Sequence, residues 1–273
     1  MKILKSEYMS WGNDPDLGEK LIGHGLIKNK HLLFEDYSYV FIALSPLINN
    51  QGIFKTQQII DDICKENNNT KLIFVCQHIF VDKINWYNSI VFSTHAIKSN
   101  KNIISIPHYS ATYNKALIKE ERDILFSFVG HSGTHPIREY FVKKYPDKCF
   151  STEGEWMSKK YKNKYIELLG KSKFSLCIRG TGPSSLRIYE SLYMGSVPII
   201  ISDDLVLPLS NIFNWDRVSV RINENEIDNL EDILFTYSDE EVKEMSKLGQ
   251  NFWEEYCSDV NLYKTIIEIL KNK

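Results

Sequence analysis

Residues 172–215 read SKFSLCIRGTGPSSLRIYESLYMGSVPIIISDDLVLPLSNIFNW. Phe174–Ile178 is a short apolar run of the kind a buried strand makes. Gly180 and Gly182 then let the backbone turn tightly and approach a ligand. Pro183 suits a first helical position, so Pro183–Met194 is expected to be a helix, followed by a strand at Val197–Ile201. Strand, loop, helix and strand in this order imply parallel pairing with a right-handed crossover. In such sheets ligands sit at the carboxyl ends of the strands.

The loop and helix carry a chemistry of their own. A helix N-terminus offers free N–H groups and the positive end of a dipole, a ready site for phosphate. Arg179, Gly180, Thr181, Gly182, Ser184 and Ser185 surround that start. Arg187 and Glu190, three residues apart, share one helix face. Arg187 can neutralise a diphosphate with its planar fork, and Glu190 can accept from ribose hydroxyls. Arg179 and Arg187 could also stabilise the charge of a departing diphosphate without a metal. The competing reading of Arg187 and Glu190 is an ordinary exposed ion pair.

Working outward, strands are expected at Lys2–Met9, Tyr39–Leu44, Lys71–Cys76, Ile90–Ser93 and Ile103–Pro107, with a helix at Lys55–Glu66. The polar stretch Asn114–Asp123 reads as a connection between domains spanning 1–115 and 124–273. The second domain opens with strand Ile124–Val129 and the turn Gly130-His131-Ser132-Gly133, followed by helices at Pro136–Lys144 and Lys160–Gly170. Past the quoted stretch come a strand at Arg217–Ile222 and helices at Glu226–Tyr237, Asp239–Tyr256 and Leu262–Leu270, the last free to pack back on the first domain.

The 273 residues, 43% hydrophobic and 25% charged, suit a globular α/β chain with room for two cores. A formal net charge of −2 argues against a general nucleic-acid binder. The five cysteines show no metal-ligand spacing and suit a reducing compartment. No apolar run approaches the roughly 20 residues of a membrane span, and the expectation is a soluble, cytoplasmic protein.

On these residues the chain resembles the exostosin-like glycosyltransferases, family 47. The match runs through Phe174, Leu176, Arg179, Gly180, Ser185, Arg187, Glu190, Gly195, Pro198, Asp203, Leu207, Pro208 and Trp215. It departs at Ser175 and Ser196, where the family has cysteine, and at Leu209, where it has phenylalanine. Upstream, Phe126–Gly130 and Arg138 resemble the start of the family's donor domain. The resemblance implies a GT-B fold, two Rossmann-like domains facing a cleft. It further implies an inverting, metal-independent transfer from a UDP-sugar to a glycan or glycoprotein acceptor, with no cofactor. Donor contacts are then expected at Gly130, Ser132, Arg138, Arg179, Gly180, Thr181, Gly182, Ser184, Ser185, Arg187 and Glu190.

An inverting transferase needs a base near the acceptor hydroxyl. Asp14, Asp16, His78, His95 and His108 each follow a strand of the first half, and Asp16 and His78 are preferred by position. Asp14-Pro15-Asp16 spells a metal-binding triplet, but its neighbours favour a turn. His24 in Gly23-His24-Gly25 has two readings, a flexible residue open to the cleft or, more often for such a residue, a structural one. Two alternatives stay open: a GT-B transferase with another donor such as GDP-fucose, and a catalytically silent partner subunit.

Overall fold

The computed structural model describes residues 2–8, 17–32, 36–110, 113, 115, 118, 121–155 and 159–272. In chain order its first elements are β1 (Lys2–Lys5), α1 (Leu17–Lys28), β2 (Tyr37–Phe41), α2 (Leu44–Glu66), β3 (Lys71–Val75), β4 (Ile90–Ser93) and β5 (Ile103–Ser105). There follow β6 (Ile124–Gly130), α3 (Pro136–Lys144), β7 (Cys149–Ser151), α4 (Lys159–Lys171), β8 (Ser172–Ile178), α5 (Leu186–Met194) and β9 (Val197–Ile201). The last are β10 (Val220–Arg221), α6 (Leu230–Leu234), α7 (Asp239–Phe252) and α8 (Lys264–Lys271).

The chain forms two compact units. Unit 1 comprises Met1–Tyr109, Asp204–Ile212 and Glu255–Lys273; unit 2 comprises Ser110–Asp203 and Phe213–Glu254. Within 124–273, residues 204–212 and 255–273 group with unit 1, the latter holding the last helix that was expected to be free to pack there. An antiparallel bridge between Ile97 and Leu205 holds the former, and apolar packing of α8 holds the latter.

Unit 1 is a parallel five-stranded sheet in the order β1-β2-β3-β4-β5. Alternate residues feed opposite faces, as the pleat requires. Tyr39, Phe41, Ile73 and Val75 meet Ile22 and Leu26 of α1 and Ile266, Ile267 and Leu270 of α8. Val40, Leu72, Phe74 and Val91 meet Leu44, Leu47, Ile59 and Ile60 of α2. Gly23-His24-Gly25 lies inside α1, the structural of its two readings. A Cβ on Gly23 would fall 2.2 Å from Phe41 Cε2, and one on Gly25 2.4 Å from Tyr263 Cδ1. The glycines are there to let α1 press onto β2 and the C-terminal segment.

Unit 2 is also wholly parallel, in the order β10-β9-β8-β6-β7. From β6 the chain goes to one side for β7, then crosses to the other side for β8, β9 and β10. The β6–β8 boundary is therefore a topological switch point, where an open α/β sheet places its ligand crevice. One face carries large apolar residues, Phe126, Phe128, Phe174, Leu176 and Ile199, against Phe141, Leu230, Val242 and Met245. The opposite face of β6 and β8 uses the small residues Ser127, Ser175 and Cys177; Ser127 accepts from Ser172 and Cys177 contacts Ser191 of α5. The two Rossmann-like units are those a GT-B chain contains.

Candidate active site

The carboxyl edge of the unit 2 sheet gathers most of the residues singled out on sequence. Arg187, in the first turn of α5, donates from Nε (3.0 Å) and Nη2 (2.6 Å) to the carbonyl of Val129 at the end of β6. Its guanidinium lies 4.8 Å from the Phe128 ring centroid, in cation–π range. A Cβ on Gly130 would fall 2.0 Å from Nη2, so this position must be glycine for Arg187 to sit as it does. Nη1 makes no hydrogen bond among the described residues. Arg138 is tied down more completely: Nε donates to Arg179 O (2.8 Å), Nη2 to Ile178 O (2.8 Å) and Nη1 to His131 O (3.3 Å). Burial, reinforced by the charge of Arg187, pushes its pKa down to about 9. Arg138 thereby pins the ends of β6 and β8 together across the switch point.

Arg179 faces a carboxylate that the sequence reading passed over. Its Nη1 is 3.5 Å from Glu224 Oε1, and His135 Nε2 is 3.8 Å from Oε2. The N–H of Asp203 donates to Glu224 Oε1 (3.2 Å), and the N–H of Glu224 returns a bond to Asp203 Oδ1 (2.9 Å). Glu224 thus joins the end of β9 to the segment after β10.

The helix behind the loop starts later than expected. Thr181, Gly182 and Pro183 form a bend, and α5 begins at Leu186 with Ser185 as an extended N-cap residue making no side-chain cap bond. The hydroxyls of Ser184 and Ser185 are buried with no protein partner. So are those of Thr152, just after β7, and Ser202, just after β9, together with Nδ1 of His131, just after β6. A buried polar group left unpaired costs about 1–3 kcal/mol, so such groups collected at one edge call for a polar ligand or ordered water. Ser132 is not among them: its hydroxyl pairs with that of Ser151 at 2.8 Å.

Glu190 is buried, and its oxygens are already engaged: Tyr113 donates to Oε1 (2.5 Å) and Tyr165 to Oε2 (2.7 Å). Burial and the neighbouring carboxylate push both phenols far above their ordinary pKa, so both stay protonated donors. Each carboxylate oxygen retains a second lone pair. Neither tyrosine was singled out on sequence. Tyr113 borders the polar stretch read as a linker, and Tyr165 sits among the lysines of α4.

At the carboxyl edge of unit 1, His78, His95 and His108 follow β3, β4 and β5. Phe80 N–H donates to His78 Nδ1 (3.1 Å), which places the proton on Nε2, 3.0 Å from Asn49 Oδ1. In that tautomer neither ring nitrogen presents an open lone pair, which does not suit the base role considered for His78. His95 and His108 stand edge to face at 5.1 Å, and His95 Nδ1 is buried without a partner. Burial, helped by the charge of His78, pushes His95 down to about 4; burial also lowers His108. Asp14 and Asp16 lie outside the described residues. Among the described residues no three His, Cys, Asp or Glu side chains are grouped to hold a metal ion.

With this geometry in hand, a family model described as the Exostosin GT47 domain matches residues 59–236, about two thirds of the chain. The chain belongs to the Exostosin GT47 family. That exostosin match includes the whole switch-point edge of unit 2 and all three histidines, but not Asp16. A probable glucuronosyltransferase of Oryza sativa subsp. japonica is 28% identical over 154 residues, covering 53% of this chain and 36% of the relative. An Exostosin-1 homolog of Caenorhabditis elegans is 32% identical over 98 residues, covering 36% of this chain and 26% of the relative. The chain therefore spans only about a third or less of these curated exostosin relatives. Among solved structures, a glycosyltransferase from Rickettsia africae aligns over 99% of this chain and 98% of its own at 10% identity, with a TM-score of 0.45. No helix among the described residues is long and apolar enough to cross a membrane.

Proposed function

We propose that this exostosin chain is an inverting glycosyltransferase that moves a sugar from a UDP-sugar to a glycan acceptor without a metal. The observation that carries the reading is the uncapped N-terminus of α5, ringed by buried unpartnered hydroxyls at the switch point of unit 2. A diphosphate fits that chemistry. The free N–H groups of α5 and the hydroxyls of Ser184 and Ser185 donate to phosphate oxygens, and Arg187 supplies charge through Nη1. Gly180, Thr181 and Gly182 let the loop lie close to the ligand. Arg179 stabilises the departing diphosphate, which takes over the electrostatic part otherwise given to a cation. The spare lone pairs of Glu190 accept from the ribose diol. Arg138, Gly130 and Ser132 act by positioning these groups.

The acceptor hydroxyl loses its proton to a base as its oxygen attacks the anomeric carbon, and the bond to UDP breaks on the opposite face, inverting the configuration. Asp16 and His95 are the candidates for that base, His78 having both nitrogens engaged. The names of the rice relative and others support UDP-glucuronate as the first donor to try.

Thermal scanning against UDP, UDP-sugars and GDP-fucose, with and without EDTA, tests the reading. A UDP-sugar at 100 times its Kd stabilises by about 2.7 kcal/mol. A shift from UDP compounds that survives EDTA is expected; a shift from GDP-fucose alone, or from none, overturns it. A second reading, a silent partner subunit that keeps the nucleotide pocket, draws on the engaged state of His78. Transfer that disappears in Arg187→Ala counts against that alternative.

A further inference from the structure

Unit 1 carries a cavity of about 660 Å3 at the amino edge of its sheet, away from the histidines. Its walls come from the end of α2, the start of β3 and the turn that leads into β4. In that turn Ser89 N–H donates to Trp86 O (3.0 Å), and Tyr87 holds the first central position with φ of +52°. Glycine occupies such a position freely, whereas a bulky L-residue brings its Cβ against the backbone. Strain of this kind persists only where surrounding structure enforces it, and it collects at ligand clamps.

The enforcement is visible. The Gln57 amide grips Asn85 at both ends, Nε2 donating to Asn85 O (3.1 Å) and Oε1 accepting from Asn85 N–H (2.8 Å). Asn85 Oδ1 accepts from Tyr87 N–H (3.0 Å), and the Tyr87 hydroxyl donates to Asp61 Oδ1 (2.8 Å), which Gln57 also contacts (2.7 Å). Trp86 anchors the turn from below, its indole N–H on Val81 O (2.9 Å) and its ring 5.3 Å from Phe74. All this fixes a tyrosine whose own surface remains 54% exposed on the cavity wall. The rest of the wall mixes apolar surface, including Cys64 and Leu72, with the polar side chains of Asn67, Asn68, Asn69, Thr70, Asn88 and Ser89 and with Lys65 and Lys71.

A rigid aromatic ring beside a carboxylate and several planar amides is the chemistry that recognises a pyranose. The ring receives the sugar's C–H face, while the amides and hydroxyls meet its hydroxyl groups. We propose that this cavity is a second glycan-binding site, holding a part of the acceptor chain that does not react. The proposal rests on the reading of the chain as a transferase acting on glycans. The two lysines admit a uronate-bearing chain as well as a neutral one.

The test uses the full chain and three probes, xylohexaose, cellohexaose and a heparosan hexasaccharide, measured by calorimetry in the absence of nucleotide. Wild type is expected to bind at least one, the heparosan arm separating a uronate preference from a neutral one. Tyr87→Gly removes the ring while suiting the backbone, so its Tm should equal or exceed that of wild type. Its oligosaccharide Kd should weaken about tenfold and its KM for long acceptors rise about fivefold. UDP binding and transfer to a disaccharide acceptor should stay unchanged. Equal binding by Tyr87→Gly, or no binding of any probe by a wild type that does bind UDP, overturns the proposal. If UDP fails to bind while an oligosaccharide binds through Tyr87, the second site stands and the donor reading falls.

Discussion

Arg187 shows how the placement of one side chain can depend on a neighbour that has none. Two of its nitrogens converge on Val129 O, and the glycine beside that carbonyl keeps the space open. A lysine offers a single nitrogen, which cannot stand both at the carbonyl and at the separate position of Nη1. Arg187→Lys should therefore lower kcat/KM about 100-fold, the scale of one transition-state donor, as measured by steady-state transfer from a UDP-sugar; near-wild-type kinetics would remove Arg187 from the proposed role. His95 makes a separate residue-scale claim. Its folded pKa, about 4, lies below the ordinary 6.5, so between those values the unfolded chain binds more protons. Its contribution is complete above pH 6.5 and is lost as the pH falls toward 4, about 3 kcal/mol in all. Urea midpoints at pH 7 and pH 4.5 should therefore separate less in His95→Gln than in wild type. Parallel pH dependences would show that the histidine is not held neutral.

At the level of elements, α5 is unusual in having an N-cap serine that caps nothing. Replacing a capping serine by alanine ordinarily costs about 1 kcal/mol. Here Ser184→Ala/Ser185→Ala should hold or raise Tm, because no protein bond is lost and two unpaired buried hydroxyls are removed, while donor KM rises about tenfold. A large drop in Tm with unchanged KM would mean that the hydroxyls serve the fold. In α1, Gly23→Ala should destabilise by about 1–2 kcal/mol. The clash with the buried Phe41 ring outweighs the roughly 1 kcal/mol gained in helix propensity, and a rise in Tm would refute that balance. These two helices also mark where the sequence was and was not legible. Strands β2, β3, β6, β8 and β9 announce themselves as short apolar runs, and the Arg179–Glu190 segment of the candidate site stands out by its residue types. Strand β7 does not: three residues, Cys149–Ser151, leave no periodicity, and without it the switch point is invisible. Helix α1 hides behind two glycines whose reason, contact with Phe41 and Tyr263, lies far along the chain. Tyr113, Tyr165 and Glu224 reach the site only through tertiary packing, which no local spacing encodes.

At the scale of the whole molecule, the chain does not complete the two units one after the other. Unit 2 is drawn from 110–203 and 213–254, with 204–212 diverted to unit 1 in between. Unit 1 then takes Leu262, Ile266, Ile267 and Leu270 from the far end of the sequence into the core that Ile22 and Phe41 begin. On a ribosome adding roughly 5–20 residues per second, β1–β5 must wait for α8, made well after them, before the face that α1 shares with it is fully covered. Until then that face is a sticky surface and a natural place for a chaperone to hold. A stop codon before Leu262 should accordingly cost the N-terminal unit its fold while sparing the later-made one. Limited proteolysis of such a truncated chain should digest 1–109 quickly and leave a resistant fragment from unit 2, whereas uniform resistance would show that the opening strands can close their core unaided.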